Sequence, residues 1–309
     1  MDNYQVTLQP RSAFGTPLAG DTLFGQLCWA IRERFGEARL TSLLEGYTEA
    51  NPFLVVSDAF PAGWVPRPQL PDFLLGIDGD PAQRKTAKKR VWLPVIGAAL
   101  PLADWLARAA ALKTAEHLVL TQNTINRLTG TTGSGPFAPR QIERLQFCSD
   151  GGLQVYCCLD SSRLSSLELA QVFTDVGLSG FGRDASTGLG KFSVSDVVEW
   201  QWPATVSRHA LTLAPCAPAP QALEASACYY QPQTRFGRHG NLAAMGGRPF
   251  KRPVLGLRTA AFLTFQTGPV PAFHGTGLGG PREPISVAIP ATVHQGYAPL
   301  VPLHAELRT

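Results

Sequence analysis

Apolar residues recur along this chain with two periods, and the switches between them mark its elements. Residues 4–12 alternate and predict an opening strand. From Asp21 the spacing changes: Leu23, Phe24, Leu27, Cys28, Ile31 and Phe35 fall on one helical face, with Asp21 placed as the N-cap. Residues 40–47 predict a second helical piece, and 53–60 a compact apolar strand ending at Pro61. The Pro-rich stretch 64–71 reads as a loop, 102–113 as a helix, and 123–139 as an irregular polar segment. Residues 142–148 and 153–159 predict two strands joined as a hairpin at Asp150-Gly-Gly152. Residues 164–176 are helical up to Gly177, and a strand follows over 192–200.

The order of these elements carries the fold class. The chain starts strand, helix, strand, and 142–200 runs strand, strand, helix, loop, strand; both are pieces of a ferredoxin-like βαββαβ unit. After Pro203 the pattern gives strands near 209–213, 259–267 and 285–289, few helix signals, and a Pro/Ala-rich connector over 214–220. The prediction is an α+β chain with an N-terminal unit over 1–203 and a strand-rich unit over 204–309. With Gly 30 and Pro 26, long Gly/Pro-rich loop insertions are expected.

Composition removes several function classes. A chain of 309 residues that is 44% hydrophobic and 16% charged is globular rather than disordered. No apolar run reaches membrane-spanning length, and the start, Met1-Asp-Asn-Tyr-Gln, lacks the features of a secretory signal, so a cytoplasmic protein with no membrane partner is expected. Cys28, Cys148, Cys157, Cys158, Cys216 and Cys228 form no C-x-x-C pair and are expected as reduced, mostly buried thiols. The histidines have no metal-ligand spacing, so no metal is expected. A Walker loop is excluded by the spacing of Gly182 and Gly188 and by Phe192 after Lys191. Gly275-Thr-Gly-Leu-Gly-Gly280 matches G-x-G-x-x-G, but Pro281 and Pro284 stand where a helix would have to start. No cofactor is expected.

What remains is a set of loops suited to anions. Phe181 to Phe192 gathers Gly182, Gly188 and Gly190 around Ser186 and Thr187, with Arg183 and Lys191 at its ends. Glycines permit the turns in which successive N–H groups form an anion cradle. A second loop, starting Asn123-Thr-Ile-Asn126-Arg127, offers amides that read base edges and a guanidinium that clamps phosphate, with Arg140 beyond it; Asx-turns would equally explain its asparagines. Charge is segregated. Between Glu224 and Glu283 there is no acid, while Arg235, Arg238, Arg248, Lys251, Arg252, Arg258 and Arg282 lie there with Tyr229, Tyr230, Phe236 and Phe250 interleaved. Phosphates and stacked bases suit such a surface. The run Arg84 to Arg90 is also basic and reads as a solvated, mobile loop. His239 is the best candidate for a general base in metal-free RNA cleavage, against a simpler role as a phosphate-contacting or stacking residue.

Taken in order, several segments resemble one family. They are Pro17-Leu-Ala-Gly-Asp-Thr-Leu-Phe-Gly25, Val56-Ser-Asp-Ala-Phe-Pro61, Asn123-x-x-Asn-Arg-x-Thr-Gly130, Gly182-Arg-Asp-Ala-Ser-Thr-Gly-Leu-Gly190, Arg235-x-Gly-x-x-Gly240 and His294-Gln-Gly-Tyr-Ala298. This series resembles the RAMP superfamily of CRISPR proteins, and more narrowly the subunit of type III-A (Csm-type) effector complexes that caps the crRNA 5′ handle. The resemblance implies two ferredoxin-like (RRM-like) domains and a non-catalytic RNA-binding scaffold. Its partners would be the crRNA 5′ handle, the large palm-domain subunit and the backbone RAMP subunits, with target RNA met indirectly. It implies that the Gly182–Gly190 loop touches the handle backbone, that Asn123, Asn126 and Arg127 sit at the handle, and that Arg235, Arg238 and His239 line the same cleft. Where the family often has a double glycine, this chain has Phe181-Gly182-Arg183-Asp184. A metal-independent repeat endoribonuclease of the same superfamily and the equivalent subunit of a type III-B complex are the alternatives.

Overall fold

The computed structural model describes residues 1–75, 77, 81–148 and 151–305. It opens with strand β1 (Asp2–Pro10), helices α1 (Gly20–Phe35) and α2 (Glu37–Leu44), and strands β2 (Leu54–Val56), β3 (Phe60–Pro61) and β4 (Trp64–Pro66). Helix α3 (Pro81–Lys89), strand β5 (Trp92–Pro94), helix α4 (Leu102–Ala107) and the strands β6 (Ala115–Gln122), β7 (Arg140–Phe147) and β8 (Leu153–Leu159) follow. Helix α5 (Ser166–Ser179) and β9 (Phe192–Glu199) complete the first half.

β2, β8, β1 and β9 lie side by side in that order as an antiparallel sheet, and β3 also pairs antiparallel with β8. With α1 after β1 and α5 after β8, the succession is βαββαβ. Alternation explains the layering. Val6, Leu8, Val155, Cys157 and Leu159 face Leu23, Phe24, Leu27 and Ile31 of α1 and Leu169, Val172, Phe173 and Val176 of α5. Each such side chain contributes about 1.5–3 kcal/mol when fully buried. α5 starts at a capping box in which Ser165 and Glu168 satisfy each other's backbone N–H groups. It runs past the expected stop at Gly177, because that glycine is needed for close packing: a Cβ there would strike the carbonyl of Phe192.

The second half is strands joined by 3-10 turns: β10 (His209–Thr212), β11 (Pro232–Arg235), β12 (Val254–Leu257), β13 (Phe262–Thr264), β14 (Phe273–Gly275), β15 (Leu278–Gly279), β16 (Val293–His294) and β17 (Tyr297–Leu303). β13, β10, β17 and β14 form an antiparallel sheet in that order. No α-helix follows α5 among the described residues, so this sheet lacks the helices of a second βαββαβ unit. Prolines at 215, 218 and 220 interrupt the segment where the first such helix would stand. Leu211, Phe262, Val301 and Leu303 of this sheet share a core with Tyr156, Leu93 and Trp105.

Several expectations are corrected. β7 does not form a hairpin with β8; it pairs with β6 from Gln122↔Arg140 to Ala115↔Phe147. Asp150 of the expected turn lies outside the described residues. The basic run 84–90 is not a loop: most of it is in α3, whose Ala, Gln, Arg and Lys residues are good helix formers, and Asp72 binds both Arg84 and Lys88. Residues 64–66 form β4 and pair with β5. The helix from Leu102 ends at Ala107, where the chain turns back so that Ala110 bridges Trp92. The strand expected over 53–60 is two pieces, β2 and β3, on the same partner, and residues 285–289 form no strand.

Candidate nucleic-acid interface

The short segment 14–22 organises the candidate site. Gly20 must be glycine because a Cβ would collide with the carbonyl of Val56, and its N–H is taken by Asp58 Oδ1 at 2.7 Å. Asp58 therefore anchors the start of α1, while Asp21, expected as the N-cap, lies inside the first turn. Asp58 also accepts from Thr259 Oγ1 at 2.6 Å. Burial pushes its carboxyl up to about 7, against the two hydrogen bonds that favour its charged form.

The glycine loop is knotted against this segment. Phe181 N–H donates to Gly190 O, Gly190 N–H to Ala13 O, and Lys191 N–H to Ser12 Oγ. Arg183 N–H donates to Thr16 Oγ1 at 3.0 Å, and its guanidinium donates to Glu143 O on β7 at 2.7 Å. Gly182 sits at φ 78°, where a Cβ would press on Thr16. Asp184 is left-handed at φ 62°; its carbonyl receives Thr187 and Leu189, and its carboxylate stays 3.5 Å from Arg183. Lys191 Nζ is tied to Leu178 O at the end of α5. Within this loop the amides of Gly182, Asp184, Ala185 and Ser186 have no acceptor among the described residues. Ser186, Thr187 and Gly188 are exposed beside them. The expected cradle is thus narrower than the glycine pattern implies: it is the start of one 3-10 turn (Ala185–Thr187) with Arg183 alongside. Thr16 and Glu143 were not among the expected site residues; the Gly15-Thr16 pair before a helix was the available signal.

The β6–β7 hairpin rises from the same place. Phe14 and Leu145 exchange backbone hydrogen bonds at 2.8 Å, which fixes its base beside the glycine loop. Asn123, Asn126, Arg127 and Arg140 all lie at its far end, exposed apart from half-buried Asn126. From the Arg183 contact at Glu143 to Arg140 is three residues, about 10 Å at ~3.3 Å per residue. Asn126 Oδ1 accepts Leu128 N–H at 2.9 Å, so this asparagine builds an Asx-turn, while Asn123 and Arg127 remain open to a ligand.

The third group divides in two. Arg235 places a bidentate fork on Asp21, at 2.6 and 2.7 Å, and a third bond on Thr22 Oγ1. His294 Nε2 lies 3.6 Å from the same carboxylate, and burial pushes its pKa down to about 4 despite Asp21, so it is neutral at ordinary pH. His239 is buried, bonded through Nε2 to Ser286 at 2.7 Å, and held below the usual histidine range by burial and then by Lys251. Lys251 is itself lowered by burial. Arg235, His239 and Lys251 therefore face the protein. Arg238 and Arg252 are exposed. The structure brings the glycine loop and the Arg235 strand to the two ends of segment 16–22, through Thr16 and Asp21.

Among the described residues no His, Cys, Asp and Glu group is arranged to hold a metal. The cysteines are free thiols, and burial pushes Cys28, Cys158 and Cys216 up to about 12. No described helix is long and apolar enough to cross a membrane.

No protein-family model and no curated protein matches this chain. Solved structures match it by fold. A chain from the crystal structure of a Csm1–Csm4 cassette in complex with cA4 aligns with a TM-score of 0.61 at 15% identity over 100% of both chains. The same cassette in complex with pppApA gives 0.60 at 16% identity, covering 100% of this chain and 99% of that one. A chain from the Csm3–Csm4 subcomplex of the type III-A CRISPR-Cas interference complex gives 0.61 at 12% identity, covering 98% and 99%. Csm4 is the component these complexes share. At such identities the likeness establishes the fold, and it does so over the full length of the chain.

Proposed function

We propose that this chain is a crRNA-binding scaffold subunit of a type III-A CRISPR effector complex, the counterpart of Csm4, and that it grips the 5′ handle of the guide. The observation that carries the reading is end-to-end fold likeness to chains from both a Csm1–Csm4 and a Csm3–Csm4 assembly. A subunit common to both would join the large palm-domain subunit to the backbone. The glycine loop, with its unbonded amides and Arg183, and the hairpin tip with Asn123, Arg127 and Arg140 supply the RNA contacts. A non-catalytic role is supported by the burial of His239 against Ser286, which leaves that imidazole poorly placed to meet a 2′-hydroxyl.

The test is co-expression with the palm-domain and backbone subunits and a repeat-spacer transcript. One ribonucleoprotein whose RNA has a constant 5′ end is expected. Arg127→Ala lowers the slope of log affinity against log salt by about 0.7, one phosphate contact on a single strand. Elution of the chain alone and free of RNA would overturn the proposal, and metal-free cutting of repeat RNA by the isolated chain would replace it with the nuclease.

A further inference from the structure

The β11–β12 ribbon has two faces of different character. Its ladder starts in the register Pro232↔Leu257 to Arg235↔Val254. It then continues beyond the named strands: Lys251 N–H donates to Gly237 O, His239 N–H to Pro249 O, and Arg238 bridges Phe250. The two registers differ by one residue, so the return strand carries a bulge near Arg252, whose N–H goes instead to Ile285 O. The inner face holds Arg235, Gly237, His239 and Lys251, already committed to α1 and Ser286. On the outer face the Arg238–Phe250 register sets Phe236 opposite Arg252. The result is a checkerboard, with phenyl rings on one diagonal and guanidiniums on the other.

That face is unusual for a protein surface. Phe236 is 73% and Phe250 66% exposed. The guanidinium of Arg238 lies 5.7 Å from the Phe250 ring centroid. Among the described residues neither Arg238 nor Arg252 has an acidic partner, and the sequence holds no acid from Ala225 to Arg282. An apolar protein partner would be opposed by the two arginines, whereas a polyanion with flat bases matches both diagonals. Diagonal neighbours on a strand pair stand about 7–8 Å apart. That is twice the ~3.4 Å spacing of bases along one strand of a duplex. A strand laid across the face must spread its bases, which a single strand allows and a duplex does not.

We propose that the outer face of the β11–β12 ribbon is a stacking platform for single-stranded RNA, with bases on Phe236 and Phe250 and phosphates on Arg238 and Arg252. The ligand class rests on the RNA-binding reading above, but the location, the residues and the preference for unpaired bases do not. The test is fluorescence anisotropy of the full chain with a labelled oligouridine and with a blunt RNA duplex. Phe236→Ala and Phe250→Ala each weaken oligouridine binding roughly 5- to 150-fold, the equivalent of about 1–3 kcal/mol per stacked base. Phe→Leu variants lose most of the same affinity, because the ring face rather than apolar area is needed. Their melting temperatures stay at the parent's, since both rings are exposed. Unchanged oligouridine affinity in the double Ala variant would overturn the proposal, as would equal affinity for the duplex. Retained RNA binding with loss of a co-purifying subunit would overturn it in favour of a protein interface. An effector complex that carries handle RNA while the ribbon variants bind oligouridine normally sinks the platform alone; one without RNA sinks the scaffold reading, and the oligouridine result still stands by itself.

Discussion

Arg235→Ala separates a structural arginine from an RNA-contacting one. The Asp21 side chain is 1% exposed and receives two charge-assisted hydrogen bonds of 2.6 and 2.7 Å from this guanidinium. Deleting the guanidinium leaves a carboxylate with little water that keeps the hydrogen bond from the Thr22 hydroxyl at 3.1 Å, with a neutral imidazole and Lys251 nearby, but loses its charge-assisted fork. Breaking one side of a buried pair costs about 3–5 kcal/mol. Because Arg235 itself is 30% exposed, water reaches part of the site, and the lower end, about 3 kcal/mol, is expected. At about 2–4 °C per kcal/mol for a large domain, the melting temperature falls by roughly 6–12 °C. Arg235→Lys retains the charge but not the fork and lies between the two. Replacing both partners with apolar residues, Asp21→Leu with Arg235→Met, recovers most of the loss, because no charge is then stranded. The assay is thermal and urea unfolding, run beside RNA titrations at several salt concentrations. The salt slope is expected to stay at the parent's value. A variant that melts like the parent and loses about 0.7 from that slope would refute the argument and make Arg235 a phosphate contact.

Other outcomes follow from single observations. Asp58 has a folded-state pKa near 7, above its ordinary 3.8, so the folded chain holds a proton there that the unfolded chain has released. Its contribution makes stability fall as pH rises from about 4 to 7 and level off above that window; Asp58→Asn removes that fall, and urea unfolding at several pH values reads it. Gly177→Ala gains helix propensity of about 1 kcal/mol in α5, yet it destabilises, because the added methyl meets the Phe192 carbonyl; a raised melting temperature would contradict the packing described. Cys148 is exposed while Cys157, Cys158 and Cys216 are buried, so a thiol reagent labels Cys148 rapidly in the native state, and Cys148→Ser abolishes that fast phase.

The parts of the fold legible in the sequence are those whose period reports a single buried face. β1, α1, α5 and β9 each bury one stripe against the same core, and their apolar spacing gave them within a few residues. β6 was missed because both its faces are largely exposed, so Ala115 to Gln122 carries no alternation that would distinguish it from a loop. β17 was missed for the opposite reason: it is buried on both sides, so it too lacks alternation, and Pro299 and Pro302 break the strand signal. α3 was hidden by charge, since a run of lysines and arginines looks like loop until Asp72 is found beside it. At the candidate site, residue types were readable and directions were not. Arg235 and Arg238 are three residues apart in one basic span, yet one grips Asp21 at a sequence distance of 214 while the other faces solvent. Only the partner's position in space could assign them.

The side chain of Gln295 gives the chain a timetable. Its carbonyl accepts Val56 N–H at 2.9 Å and its amide donates to Val56 O at 2.7 Å, so one glutamine does the work of a neighbouring strand on the open edge of β2. Tyr297 adds its hydroxyl to the carbonyl of Tyr47 at 2.7 Å within the same core. A ribosome adds about 5–20 residues per second, and the sheet is complete only once β9 ends at Glu199, 96 residues before Gln295, so it waits roughly 5–19 s for its seal. Through that interval the nascent chain displays an unsealed strand edge to every other polypeptide emerging nearby.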